Sequence, residues 1–216
     1  MTRGIGIEVA LRLTEAGANT LENATGELCE LDSVAGDGDH GLAMAAAAKA
    51  IRRRLAENPP PDLAALIELL AAEFGAVGGS MGALLSVAFD ALGGTLVTPD
   101  IPRSAYQVAD YLRIVCAALS EFGGAKVGDK TIVDAVASAQ TAAAAAADEG
   151  AATAETLSAA ANGANAGAES TASMVARVGR ASRLGERSRG SVDPGARSFA
   201  LVLTAIAQAY ATGDRS

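Results

Sequence analysis

The stretch "LDSVAGDGDHGLAM", residues 31–44, carries three aspartates, three glycines and the only histidine of the chain. Asp37 and Asp39 are separated by one glycine, and Asp32 lies five residues upstream of Asp37. Carboxylates this close repel one another unless a cation neutralises them or they protonate. Hard oxygen donors suit Mg²⁺ or Ca²⁺, whereas zinc favours the Cys and His that this chain barely contains. No glutamate stands where an EF-hand loop would place its twelfth-position ligand. Magnesium takes few carboxylates and completes its shell with water and substrate phosphates. The competing reading is an Asx-rich turn that only caps the helix after it.

Phosphate needs donors, and the sequence supplies candidates. Four glycine-containing junctions precede helical patterns: "AGDGDHG", "VGGSMG", "GGAKVGDKT" and "SVDPGARS". Each delivers a helix N-terminus with free N–H groups and a positive dipole end. In an up-and-down arrangement alternate helices start at the same end, so all four junctions are expected at one rim. The acidic triplet beside these helix ends reads as a nucleotide–magnesium site. It is not a P-loop, because GxxxxGK[ST] is absent. Arg177, Arg180, Arg183, Arg187, Arg189 and Arg197 crowd into about twenty residues, a cluster suited to a small anion or to a solvated helix face.

The elements that must position these groups are helical. Alanine is abundant, while β-branched and aromatic runs are scarce. Periodicity gives eight helices: Ile5 to Leu31, Leu42 to Ala56, "LAALIELLAAEF" capped by Asp62, "MGALLSVAFDAL", Ser104 to Phe122, "KTIVDAVASAQTAAAAAADEG" capped by Asp129, Ala154 to Val178, and "PGARSFALVLTAIAQAYA". Asp193 is expected at the N-cap of the last, with Pro194 at its first turn. "GGTLVTPDIPR" reads as a loop. Gly163 and Gly167, inside the seventh helix, imply close approach to a neighbour. The class is all-α, one domain over 1–216, with sequential neighbours antiparallel.

Composition narrows the function. Lys plus Arg is 17 against 25 for Asp plus Glu, a net charge of −8, and aromatics are 3%. An acidic chain without stacking platforms is a poor partner for nucleic acid. No signal peptide or membrane span is expected, since Glu8, Arg12 and Glu15 interrupt the first apolar run. The two cysteines, Cys29 and Cys116, read as buried thiols of a cytoplasmic protein. Met174 is likewise assigned to the core.

The set "LD…GDGDHG", "VGGSMGALLS", "GDKTIVDA" and "GRASRLGERSRGSVDPGA", in order over residues 20–205, resembles the L subunit of dihydroxyacetone kinase. The resemblance implies a barrel of eight antiparallel helices with a nucleotide pocket at one end. It implies that Asp32, Asp37 and Asp39 hold two Mg²⁺ ions against the phosphates of ADP or ATP. It assigns His40, Gly41, Leu42 and Ala43 to the segment touching the nucleotide, and Ser80 and Met81 to a phosphate-side turn. Gly123 and Ile132 flank base and ribose, Arg180 lies on the nucleotide, and Asp193, Pro194 and Gly195 form the closing turn. The chain departs from the family at Ala43, where Asn is common, at Met81, where serine is usual, and at Arg183. His40 separates it from the related fatty-acid kinase A subunit, which carries "PDGDTGTNM" in this place.

The resemblance further implies a division of labour. A small ketose sits covalently on a separate K subunit, and the L chain brings the nucleotide to it. The phosphate comes from exchanging ATP, or from phosphoenolpyruvate through a phosphotransferase-system phosphocarrier that recharges bound ADP. Erythrulose is an alternative ketose. A regulatory module docking on a transcription regulator is the alternative role.

Overall fold

The structure, a computed structural model, describes residues 5–95 and 103–213. Among them are nine α-helices and no strand: α1 (Ile5–Asn23), α2 (Thr25–Ser33), α3 (His40–Glu57), α4 (Leu63–Ala76), α5 (Gly79–Thr95), α6 (Ala105–Gly123), α7 (Ile132–Asp148), α8 (Thr153–Ser170) and α9 (Pro194–Gly213). Two 3-10 segments, Thr171–Ser173 and Arg180–Ser188, lie between α8 and α9.

The expected first helix breaks at Ala24 into α1 and α2. The Thr25 hydroxyl donates back to the carbonyl of Glu22 at 2.7 Å, a bond that competes with the helix ladder and bends it. Backbone bonds still pass through the break, from Ala24 N–H to Thr20 and from Leu28 N–H to Ala24. With α1 and α2 taken as one bent element, eight remain. They close into a ring in which α1, α3, α4, α5, α6, α7, α8 and α9 each pack on the next, and α9 packs on α1.

Local chemistry explains the helix ends. Asp62 accepts from Ala65 N–H at 2.9 Å and Ser104 from Gln107 N–H at 3.3 Å. Asp193 accepts from Ala196 N–H at 2.7 Å and Pro194 opens α9, as the sequence predicts. The cap of α7 is different. Thr131, not Asp129, occupies it, and Asp134 reaches back to Thr131 N–H at 2.8 Å to complete a capping box. Asp129 instead accepts from Lys126 N–H at 2.8 Å in the preceding turn. The expected seventh helix stops at Ser170 rather than Val178. The Ser170 and Thr171 hydroxyls take up the carbonyls of Gly167 and Ala168, and Met174 is extended. Met174 is therefore half-buried in irregular chain rather than core, and Cys29 and Cys116 are half-buried free thiols. Gly93–Thr95 still belong to α5, and residues 96–102 of the expected loop lie outside the described residues.

The core is built from small residues. Ala135, Ala139 and Ala143 of α7 face Ala160, Ala161, Ala164 and Ala168 of α8. A Cβ on Gly163 would lie 2.6 Å from the Ser138 carbonyl oxygen, and one on Gly167 2.7 Å from that of Asp134. The two helices thus meet backbone against backbone, which is why the alanine tract is ordered helix. Among the described residues no helix is long and apolar enough to cross a membrane.

Candidate metal and nucleotide site

Asp32 ends α2, and Asp37 and Asp39 stand in the loop before α3. One ligand oxygen from each lies within 4.8 Å of the others. Close approach depends on glycine. A Cβ on Gly36 would overlap Asp32 Oδ1 at 2.1 Å, and Gly38 has φ +76°, a conformation that glycine adopts without cost. Asp32 Oδ2 accepts from Asp39 N–H at 3.0 Å and His40 N–H at 3.2 Å, so Asp32 covers the start of α3. Asp39, at the N-cap position, makes no side-chain cap. The capping reading therefore accounts for Asp32 alone, and leaves Asp37 and Asp39 without a capping role.

Electrostatics separates the two loop carboxylates. Arg180 bonds Asp37 and holds its carboxyl below the usual range. Desolvation and then the charges of Asp37 and Asp32 push Asp39 up. A guanidinium already sits on this cluster as a cation, and the donors are all carboxylate oxygens, so the residues fit a hard divalent ion.

The cluster opens on a cavity of about 440 Å³. All four junctions contribute to its wall, with the N-termini of α3, α5, α7 and α9 gathered at one end of the ring. Asp32, Asp37, Asp39, His40 and Ala43 line it from the first junction, and Ser80 and Met81 from the second. Gly123 and Ile132 line it from the third, and Arg180, Asp193, Pro194 and Gly195 from the last. Met81 lies over Gly195, where a Cβ would meet its terminal methyl at 2.3 Å, with Ile132 also within contact. Two expected residues stand apart. Gly41 is buried against α2, where a Cβ would fall 2.1 Å from the Thr25 carbonyl oxygen, and Leu42 is 63% exposed. Neither lines the cavity, because the helical turn that aims His40 and Ala43 inward aims the two between them elsewhere.

The comparisons decide the family. A family model described as the DAK2 domain matches residues 34–208. The chain belongs to the DAK2 domain family. This DAK2 domain is 37% identical over 203 residues to the L-erythrulose kinase of Pectobacterium atrosepticum, covering 92% of this chain and 34% of that one. It is 34% identical over 201 residues to the ADP-binding subunit DhaL of the PEP-dependent dihydroxyacetone kinase 2 of Listeria innocua, covering 90% of each. In structure it matches the dihydroxyacetone kinase from C. freundii in complex with AMP-PNP and Mg²⁺, with TM-score 0.73, 32% identity, and coverage of 96% of this chain and 35% of that one. The DAK2 domain thus spans about a third of the length of several curated kinases that it matches.

Three residues of this DAK2 domain bear on the cavity in ways that motif reading missed. Lys130 is 4% exposed and has φ +64°, the one positive value among described non-glycine residues. Its ammonium donates to the carbonyl of Thr171 at 2.6 Å and to that of Ser191. Burial pushes its pKa down, against the pull of Asp193 and Asp134. Asp134 accepts from Gly128 N–H at 2.5 Å as well as from Thr131, so it shapes the whole turn before α7. Ser198 on α9 pairs with His40 Nε2 at 3.2 Å, and burial lowers the imidazole's pKa although Asp32 opposes this. Asp193, expected as the α9 cap and in the closing turn, is also perturbed electrostatically. Burial pushes its carboxyl up to about 6, despite the Ala196 N–H and Lys130. "GDKT" was the available signal for Lys130, but its partners are backbone carbonyls 41 and 61 residues away.

Proposed function

We propose that this chain is one nucleotide-binding domain over residues 1–216 that serves phosphoryl transfer in a small-ketose kinase. It holds ADP or ATP with two Mg²⁺ ions on Asp32, Asp37 and Asp39. The observation that carries this reading is the convergence of three carboxylates and four helix N-termini on one cavity. The N-termini of α3, α5, α7 and α9 line this cavity, and the fixed dipole of a helix end stabilises anionic oxygens without reorganisation. Bound magnesium would supply neutralisation of phosphate charge, the main requirement of phosphoryl transfer. Ala43, Ser80 and Met81 form the wall on the phosphate side, with His40 behind them paired to Ser198 and lowered in pKa by burial. Gly123 and Ile132 give an apolar wall for ribose and base, and Asp193, Pro194 and Gly195 form the closing turn.

The ketose is bound elsewhere, on a K-type unit, and either exchanging ATP or a phosphocarrier supplies the phosphate. The L-erythrulose kinase and DhaL relatives support this class of reaction and leave dihydroxyacetone and erythrulose as the candidate ketoses. The free thiols suit a reducing compartment, and we place the protein in the cytoplasm.

Thermal melting tests the reading. ADP with Mg²⁺ should raise the melting temperature, EDTA should abolish the rise, and Asp37→Ala should remove it. Mass analysis of nucleotide released from the purified protein separates retained ADP from exchanging ATP. The absence of any magnesium-dependent shift with either nucleotide would end the proposal.

A further inference from the structure

The chain between α8 and α9 makes a long excursion. It leaves at Thr171, passes through Arg180, and returns at Ser191. Its two ends meet at a neck. Gly190 N–H donates to the Ala172 carbonyl at 2.8 Å, and Asp193 N–H donates to the Thr171 hydroxyl at 2.8 Å. The Lys130 ammonium sits in this neck and donates to one carbonyl from each side, Thr171 and Ser191. Within the excursion, Ala176 N–H donates to Ser188 Oγ at 2.9 Å, so the loop body is stitched to itself. At its far side Arg180 meets Asp37.

Two features show that Lys130 is held there for its side chain. Its backbone is left-handed, a conformation that costs a non-glycine residue on the order of 1 kcal/mol. Glycine would relieve that strain, yet the position carries the longest aliphatic amine. The charge is also buried, and it is compensated by two carbonyl oxygens and by the nearby Asp193 and Asp134.

We infer that Lys130 is a positioning residue, a clamp that joins both ends of the Thr171–Ser191 loop and thereby holds Arg180 at the mouth of the cavity. This rests on the nucleotide reading only for its effect on binding, since the closure of the loop is a property of the chain itself.

Limited trypsin digestion reads the clamp directly. Arg177, Arg180, Arg183, Arg187 and Arg189 are all tryptic sites within the loop. Lys130→Met keeps the aliphatic stem and removes the ammonium. It should speed cleavage inside 177–189 about tenfold, with cleavage elsewhere unchanged. Equal loop cleavage in Lys130→Met and the parent protein would overturn the clamp.

The link to Arg180 is read by a double-mutant cycle on Mg–ADP affinity. If Lys130 acts through Arg180, Lys130→Met weakens binding about tenfold, and adding it to Arg180→Met produces no further loss. Losses that multiply would overturn the link. Should Lys130→Met fail to fold, Thr171→Val removes the neighbouring neck bond and must give the same loop-confined cleavage. A parent protein that binds no Mg–ADP sinks the nucleotide reading, while the trypsin arm still decides the clamp.

Discussion

Arg180 reaches the carboxylate of Asp37 from 143 residues further along the chain, and so ties the α8–α9 loop to the acidic loop before α3. Both side chains are largely exposed, at 60% and 50%. An exposed pair contributes little stability. Its interest is positional, because the arginine stands on the same carboxylate cluster that a divalent ion would share.

Repulsion within that cluster gives the first prediction. Asp39 is pushed up by desolvation and by Asp37 and Asp32, so removing its charge relieves strain in protein stripped of divalent ions. Asp39→Asn should raise the melting temperature in EDTA and reduce the rise on adding Mg²⁺ with ADP. Differential scanning calorimetry with and without EDTA checks both halves. A lower melting temperature in EDTA would mean that the carboxylate is structural.

Asp193 sets a pH dependence. Its carboxyl lies near 6 in the fold against 3.8 ordinarily, so folding favours the protonated form. The stability that this group confers is complete below about pH 4 and is lost as pH rises through about 6, an effect on the order of 3 kcal/mol. Asn at this position keeps a cap for α9 and carries no charge. Asp193→Asn should therefore stabilise the protein at pH 8 and have little effect at pH 4. Urea unfolding across that range measures it.

His40 offers a direct titration, because it is the sole histidine. Burial disfavours its charged form, so its pKa should fall below 6.5. The linked stability is present above 6.5 and is lost as pH falls through the depressed value. One imidazole resonance followed by NMR gives the number, and a value above 6.5 would show that Asp32 outweighs burial.

Two glycines should respond in opposite directions. Gly167→Ala places a methyl 2.7 Å from the Asp134 carbonyl oxygen and 2.6 Å from Ser138 Oγ, which forces α7 and α8 apart. A net loss of about 1–3 kcal/mol is expected, since overpacking outweighs the gain in helix propensity. Gly26→Ala meets nothing within 4 Å on exposed α2 and should gain up to about 1 kcal/mol. Chemical denaturation of the two variants decides both signs.

The sequence showed what is written locally. Asp62, Asp193 and Pro194 are short-range signals for helix starts, and alternation of short connections was enough to bring the four junctions together. Thr131 was missed because Asp129 is an equally good cap by type, and the choice falls to Asp134, whose carboxylate reaches back to the turn. The break at Ala24 left no mark because the apolar rhythm runs through it. The motif resemblance placed Gly41 and Leu42 with the ligand, yet helix direction turns them away from the cavity. Lys130 was illegible for a different reason. Its partners are carbonyls, which every residue possesses, so no residue type signals the pairing.

The antiparallel pairing of α1 with α9 fixes where the polypeptide enters and leaves. Glu27 meets Arg197 near the cavity, Gly17 lies against Val202 further down, and Gly213 approaches Arg12. The first and last described residues therefore emerge at the pole away from the mouth. A tag or surface anchor attached at either end would leave the opening facing solution, which suits immobilised formats for measuring ligand capture.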